Sequence, residues 1–259
     1  RRIYRMSDSN DILRFEHILY YREERTSLND VTFTLGRGEN LIIFGPEDSG
    51  AEIVCPLIAG VTDQFGGEVI FNGRSIKTFN YVEMHNYRKE LGYLQRDYGL
   101  INNMSVVENI SLPLKYHTQL TTGQIGDVVN RLVEDLHLGY CRNMRPVSLS
   151  GAAILKTAYA RAIALDPELL LVEHALEGQC LLNSQTYMRH LRTWASQPEK
   201  SVIIVTYEPE RFIDFSDRFI MLYEGEIVFA GSREDFVSQN NDYLRQYCAS
   251  SVEGPMKVL

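Results

Sequence analysis

The segment 41-LIIFGPEDSGAEI-53 runs from an apolar stretch, through a loop bounded by Gly45 and Gly50, into a helical pattern. Two glycines at this separation match the phosphate-binding loop G-x-x-x-x-G-K-[ST]. Such a loop works by aiming backbone N–H groups and a helix N-terminus at an anion. A lysine after the second glycine adds charge on the terminal phosphates, and a hydroxyl after that holds Mg²⁺. Here Ala51 stands at the lysine position and Glu52 at the hydroxyl position, while Glu47 and Asp48 add two carboxylates inside the loop. Like charges about 4 Å apart repel by roughly 4 kcal/mol at an effective dielectric near 20. The loop is therefore expected to hold a nucleoside triphosphate weakly, with one of its own carboxylates filling the anion nest. A plain strand–turn–helix with two chance glycines is the competing reading, since carboxylates near a helix N-terminus are ordinary stabilisers. Arg37 and Lys156 would replace the missing cation only if the fold brought them close.

The elements that must position this loop follow from the hydrophobic pattern. The runs 41-LIIF-44, 169-LLLV-172, 202-VIIV-205 and 219-FIMLY-223 are apolar without alternation, as expected of parallel strands buried on both faces. Ile125, Val128, Val129, Leu132, Val133 and Leu136 lie on one face of a helix. Segments 12–21, 28–35 and 68–73 read as strands of a small antiparallel sheet. From about 97 to 156 the strand signal fades and helices dominate. The expectation is an α/β fold in one domain spanning 1–259: a core at about 12–96 and 157–235, a helical insertion at about 97–156 and a tail at 236–259, extended from 249.

Composition narrows the class. The 259 residues carry 26 basic and 34 acidic side chains, a net charge of −8, which argues against a general nucleic-acid binder. The longest apolar runs are four or five residues, far short of the ~20 a membrane helix needs. The N-terminal RRIYRMSDSN has no apolar core, so no signal peptide is expected. Cys55, Cys141, Cys180 and Cys248 lack C-x-x-C spacing, so free thiols in a reducing compartment and no metal site are expected.

Several further segments resemble the ATP-binding-cassette ATPases of ABC transporters over nearly the whole chain. 28-LNDVTFTLGRGENLIIFGPEDSG-50 is similar to the family's first strands and phosphate loop, with Tyr21 where an aromatic stacks on adenine. 92-GYLQRDYGLINNMSVVENISLPL-114 resembles the Q-loop segment, with Gln95 as its glutamine. 149-LSGAAILKTAYARAIALDPELLLVEHALEG-178 resembles the signature motif running into Walker B, and 202-VIIVTYEPERFIDFSDRFIMLYEGEIVFAG-231 the switch strand and closing strands. The stretch 106-VVENISLPLKYH-117 and the tail 244-LRQYCASSVEGP-255 resemble the ATPases of Mla/Mce-type phospholipid-trafficking systems, with Glu253 where those carry aspartate.

The resemblance implies a RecA-like parallel-sheet core, an antiparallel β subdomain and an inserted helical subdomain. It also shows where this chain departs. Leu149, Ser150 and Gly151 of the signature are kept, but Ala152 and Ala153 replace its Gly-Gln. Glu173 and His174 stand for the Walker B Asp-Glu; Glu173 reaches one methylene further, and a neutral His174 could accept a proton. Cys180 occupies the D-loop aspartate position and Tyr207 that of the switch histidine. Phosphoryl transfer depends on a lysine, Mg²⁺ and an oriented water, so no catalytic residue is expected among Ala51, Glu52, Glu173, His174 and Tyr207. Tyr21, Gly45, Pro46, Ser49, Gly50 and Gln95 are left as a nucleotide-site remnant without a metal.

What the resemblance implies for function is a degenerate cassette subunit of a lipid transporter on the cytoplasmic face of the inner membrane. Expected partners are a transmembrane permease and a second cassette subunit, identical or different, with an MCE-type lipid-binding protein and a small STAS-type regulator. No cofactor is expected in its own site. ATP and Mg²⁺ would bind a composite site in which an intact partner's loop meets Ser150 and Gly151. The alternatives are an unusual active ATPase using Glu173 and His174, and a soluble interaction module on a cassette scaffold.

Overall fold

A computed structural model of the chain describes residues 10–22, 25–62 and 65–257. It opens with β1 (Asp11–Arg22), β2 (Arg25–Gly36), β3 (Asn40–Phe44), α1 (Ala51–Ile58), β4 (Phe65–Phe71), β5 (Arg74–Ser75) and α2 (Tyr81–Lys89). Next come β6 (Leu91–Leu94), α3 (Val106–His117), α4 (Thr122–Asp135), α5 (Gly151–Ile163), β7 (Leu169–Glu173) and α6 (Leu181–Ala195). The chain ends with β8 (Ser201–Thr206), β9 (Arg218–Tyr223), β10 (Glu226–Ser232), α7 (Arg233–Ser238) and α8 (Asp242–Cys248). Two compact units form, one from Arg1–Met84 with Ser201–Leu259 and one from His85–Lys200. Among the described residues no helix is long and apolar enough to cross a membrane.

In the first unit β2, β1, β4 and β5 form an antiparallel sheet in that order, where the sequence placed one. Phe15 pairs with Phe33 across β1 and β2, their rings stacked at 4.6 Å. A second array runs β10-β9-β3-β8, with β3 parallel to both β8 and β9 and β10 antiparallel to β9. Every residue of β8 and Leu41 to Phe44 of β3 are buried, which is why these runs show no polar alternation.

The second unit holds β6 parallel to β7 together with α3 to α6. Ser105 and Thr121 close capping boxes at the starts of α3 and α4, satisfying N-terminal amides that the helices leave open. The apolar stripe expected at 125–136 lies on α4 and on Leu136, which caps its C-terminus, with Ile125, Val129, Val133 and Leu136 buried. The helices α3 and α4 and the first turns of α5 occupy the expected 97–156 segment, grouped in this unit with β6, β7 and α6.

One expectation is corrected. The stretch from 249 is not extended: the buried Gln246 on α8 accepts from the Met256 amide at 2.7 Å and donates to the carbonyls of Met256 at 2.9 Å and Ser251 at 3.3 Å. A buried amide must pair its donor and acceptor, and here it does so by curling the chain back on itself. Val258 and Leu259 lie outside the described residues.

Candidate functional site

The phosphate-type loop belongs to the first unit, between β3 and α1. A Cβ on Gly45 would lie 2.2 Å from the Leu222 carbonyl oxygen and 2.6 Å from Ser49 Oγ. Gly50 sits at φ 94°, where a Cβ would lie 2.2 Å from the Ser27 carbonyl oxygen. Only glycine fits either place, so the spacing is not accidental: packing of the unit itself demands it. Ser49 is buried; its N–H donates to the Pro46 carbonyl at 3.2 Å and its carbonyl accepts from the Gly225 amide at 3.0 Å.

α1 begins at Ala51 with no side-chain cap on Gly50. The Ala51 methyl is buried at 4% exposure. Its N–H donates to Ser49 Oγ at 3.4 Å. Glu47 and Asp48 are exposed and Glu52 half-buried. Among the described residues none of the three accepts a hydrogen bond from a loop amide, so the expectation that one of them fills the nest is not met. The loop side chain that accepts from a loop amide, among the described residues, is Ser49. Of the two basic residues weighed as substitutes, Arg37 donates to the Asn72 side chain, and Lys156, in the second unit, to the Leu136 carbonyl at 3.0 Å.

A cleft of about 950 Å³ opens beside the loop, lined by Pro46, Glu47, Asp48, Tyr207, Glu210 and Tyr247 among others. The Tyr247 hydroxyl from α8 lies 2.8 Å from the Tyr207 carbonyl and 3.2 Å from that of Gly45. Burial holds this phenol well above its usual pKa, so it remains a donor. Sequence reasoning missed Tyr247; an aromatic in the tail gave no hint that it reaches the loop. Tyr21, on β1, is 61% exposed.

The remaining motif positions lie in the second unit. Gln95 is exposed just past β6, and its carbonyl accepts from the Tyr98 amide at 2.9 Å. Arg96 makes two 2.9 Å hydrogen bonds to the Glu177 carboxylate. The Tyr98 hydroxyl donates to the Ala175 carbonyl at 3.3 Å and accepts from Gln179 at 3.2 Å. Arg161 donates to the carbonyls of Gly99 at 2.7 Å and Tyr98 at 2.8 Å. The segment after Gln95 is thus tied to the segment after β7 by residues that carried no motif signal.

Glu173 closes β7. Burial raises its pKa, against hydrogen bonds from the Tyr93 side chain and the Arg96 backbone that lower it. His174 is buried at 5% exposure with φ 48°. Burial first, then the Arg96 charge, pushes its pKa below the usual histidine value, so the ring is neutral at pH 7. Ser150 caps α5, its Oγ accepting from the Ala153 amide at 3.3 Å. Ser150 and Gly151 are both exposed.

This architecture is that of the ABC ATPase cassette. A dimeric ATP-binding cassette in a post-hydrolysis state with ADP and Pi superposes with a TM-score of 0.78 at 22% identity, over 85% of this chain and 98% of that one. A bacterial Atm1-family ABC exporter with ATP bound gives 0.79 at 20% identity, over 94% of this chain and 43% of that one. The family model for ABC transporters matches residues 28–177, and the chain belongs to that family. The intermembrane phospholipid transport system ATP-binding protein MlaF of Escherichia coli K12 is 25% identical over 92% of this chain and 89% of its own length. MlaF of Haemophilus influenzae is 22% identical over 96% and 94%. The molybdate/tungstate import ATP-binding protein WtpC of Thermococcus kodakarensis is 29% identical over 85% of this chain, which spans 64% of that longer relative.

Proposed function

We propose that the chain is a cassette subunit of a phospholipid-trafficking ABC transporter that does not hydrolyse ATP in its own site. The observation that carries this reading is the buried methyl of Ala51 at the start of α1, with Glu47 and Asp48 exposed beside it. The residues present do not fit magnesium nucleotide: the loop offers no cation and no hydroxyl at position 52. The likeness to MlaF over nearly the full length of both chains supports the lipid-trafficking class.

In this role the chain is the scaffold or regulatory half of a motor. It docks a transmembrane permease at the cytoplasmic face of the inner membrane and pairs with a second cassette subunit. The exposed Ser150 and Gly151 are free to meet nucleotide held by an intact partner. An MCE-type lipid-binding protein and a small STAS-type regulator complete the assembly. The test is a nucleotide titration and a Mg-ATP turnover assay on the isolated chain beside the complex purified from its native membrane. Turnover in the complex only, with a stoichiometric second cassette, supports the reading; turnover by the pure chain overturns it.

One observation favours a second reading, an active ATPase with an unusual base. His174 is held neutral by burial, as a proton acceptor must be. Turnover by the pure chain that is abolished in His174→Ala would establish it.

A further inference from the structure

The second unit brings two imidazoles together, one of them at the end of the 106–117 stretch. His85 lies on α2 and His117 is the last residue of α3. His117 Nδ1 is 3.3 Å from His85 Nε2, with ring centroids 4.7 Å apart and the planes inclined at 42°. We propose that His85 and His117 form a two-imidazole site for a borderline divalent transition-metal ion such as zinc or nickel, joining α2 to the end of α3.

The distance carries the argument. Two nitrogens bound to one zinc ion at about 2.0–2.1 Å stand roughly 3.3–3.4 Å apart at the tetrahedral angle. The pair therefore already holds the separation that a shared metal requires. Both rings bind as neutral ligands. Burial, first among the causes, holds the pKa of His117 below the usual histidine value, so the ring is available in its neutral form. In the metal-free pair one nitrogen donates its proton to the other. On ligation that proton moves to the far nitrogen of its own ring, so two neutral imidazoles take up the ion without net proton release.

The donor type selects the class of ion, against the repulsion of the nearby cations: Lys89, whose Nζ donates to Asn86 at 3.1 Å, lies on α2, and Arg88 and Lys115 are close to the two histidines in sequence. No carboxylate is part of the pair. Hard cations such as Ca²⁺ and Mg²⁺, which need oxygen ligands, are disfavoured, whereas imidazole suits zinc, nickel and copper. Among the described residues no group of three His, Cys, Asp or Glu side chains gathers to hold a metal, so the other coordination positions are left to water. His117 also lines a cleft of about 330 Å³ with Arg88, Tyr93, Pro113, Tyr116 and Arg161. A bound ion would fix one wall of that cleft.

The test is calorimetric titration of the full chain with ZnCl₂ and, separately, NiCl₂ at pH 7.5, repeated with His85→Gln, His117→Gln and the surface control His17→Gln. The expected result is one ion per chain for wild type and the control. Either pair variant should bind more than roughly tenfold more weakly, since even ligand-supporting groups are worth about 10–100-fold in affinity. Circular dichroism checks that each variant is folded. Absence of wild-type binding, or equal binding by folded pair variants, overturns the proposal.

Discussion

Restoring the lysine is the most direct challenge to the reading of the loop. In Ala51→Lys, Glu52→Thr the new ammonium would leave the first turn of α1, and the carboxylate at 52 would be replaced by a hydroxyl. A charge-assisted hydrogen bond contributes about 1.5–3 kcal/mol net, and each 1.4 kcal/mol is tenfold in Kd. The lysine alone should therefore tighten ATP binding by roughly 10- to 150-fold. Loss of the Glu52 charge adds to this in the same direction. Position 51 is only 4% exposed, so the stem must thread along the loop, and some loss of melting temperature is expected. The assay is titration with a fluorescent ATP analogue, with and without Mg²⁺, alongside thermal melts of both proteins. If the folded variant binds no better than wild type, the missing cation does not limit nucleotide binding by the loop. If wild type binds tightly and the variant equally so, the charge argument fails outright.

Four further outcomes are expected. Gly50→Ala, at φ 94° with its Cβ against the Ser27 carbonyl, should destabilise the protein by at least about 1–3 kcal/mol, read by urea unfolding. Tyr247→Phe removes the hydroxyl shared by the Gly45 and Tyr207 carbonyls; about 1 kcal/mol, a melting shift of roughly 2–4 °C, should follow. The buried Asn109 bonds the Ile101 amide and the carbonyls of Ile101, Met104 and Ser105, so Asn109→Ala should cost about 2–3 kcal/mol and loosen the segment after Gln95 to hydrogen exchange. For pH, the depressed pKa of His174 means its contribution is full above the unfolded value near 6.5 and is lost as pH falls through the lower folded value. In His174→Gln the fall in stability below pH 6.5 should be shallower than in wild type; an identical slope in chemical denaturation would show the ring does not titrate differently on folding.

Much of the fold was legible because burial on both faces leaves an uninterrupted apolar run. That is why 41-LIIF-44 and 202-VIIV-205 became β3 and β8, and why the periodicity at 125–136 became α4. The tail was misjudged for a specific reason. Its curl depends on one buried amide, Gln246, meeting Met256 ten residues on, and such side-chain-to-backbone closure leaves no periodic trace. Of the site, the glycine spacing and the absent lysine could be read directly. The Arg96–Glu177 and Tyr98–Gln179 contacts could not, because each pair is 81 residues apart in the chain.

The shape of the loop rests on packing rather than on charge. Gly45 and Gly50 are held by close approach to Leu222 and Ser27, contacts internal to the first unit that any side chain would break. Position 51 carries no such need for glycine: its buried methyl closes the first turn of α1, and alanine is the best helix former. Packing therefore accounts for both glycines of 45-GPEDSGAE-52 whether or not the loop holds nucleotide. The same reasoning applies to Ser150, whose hydroxyl caps α5. Its retention follows from the cap alone, so only an effect of Ser150→Asn on a partner's turnover, with the cap preserved, would show that it also touches nucleotide.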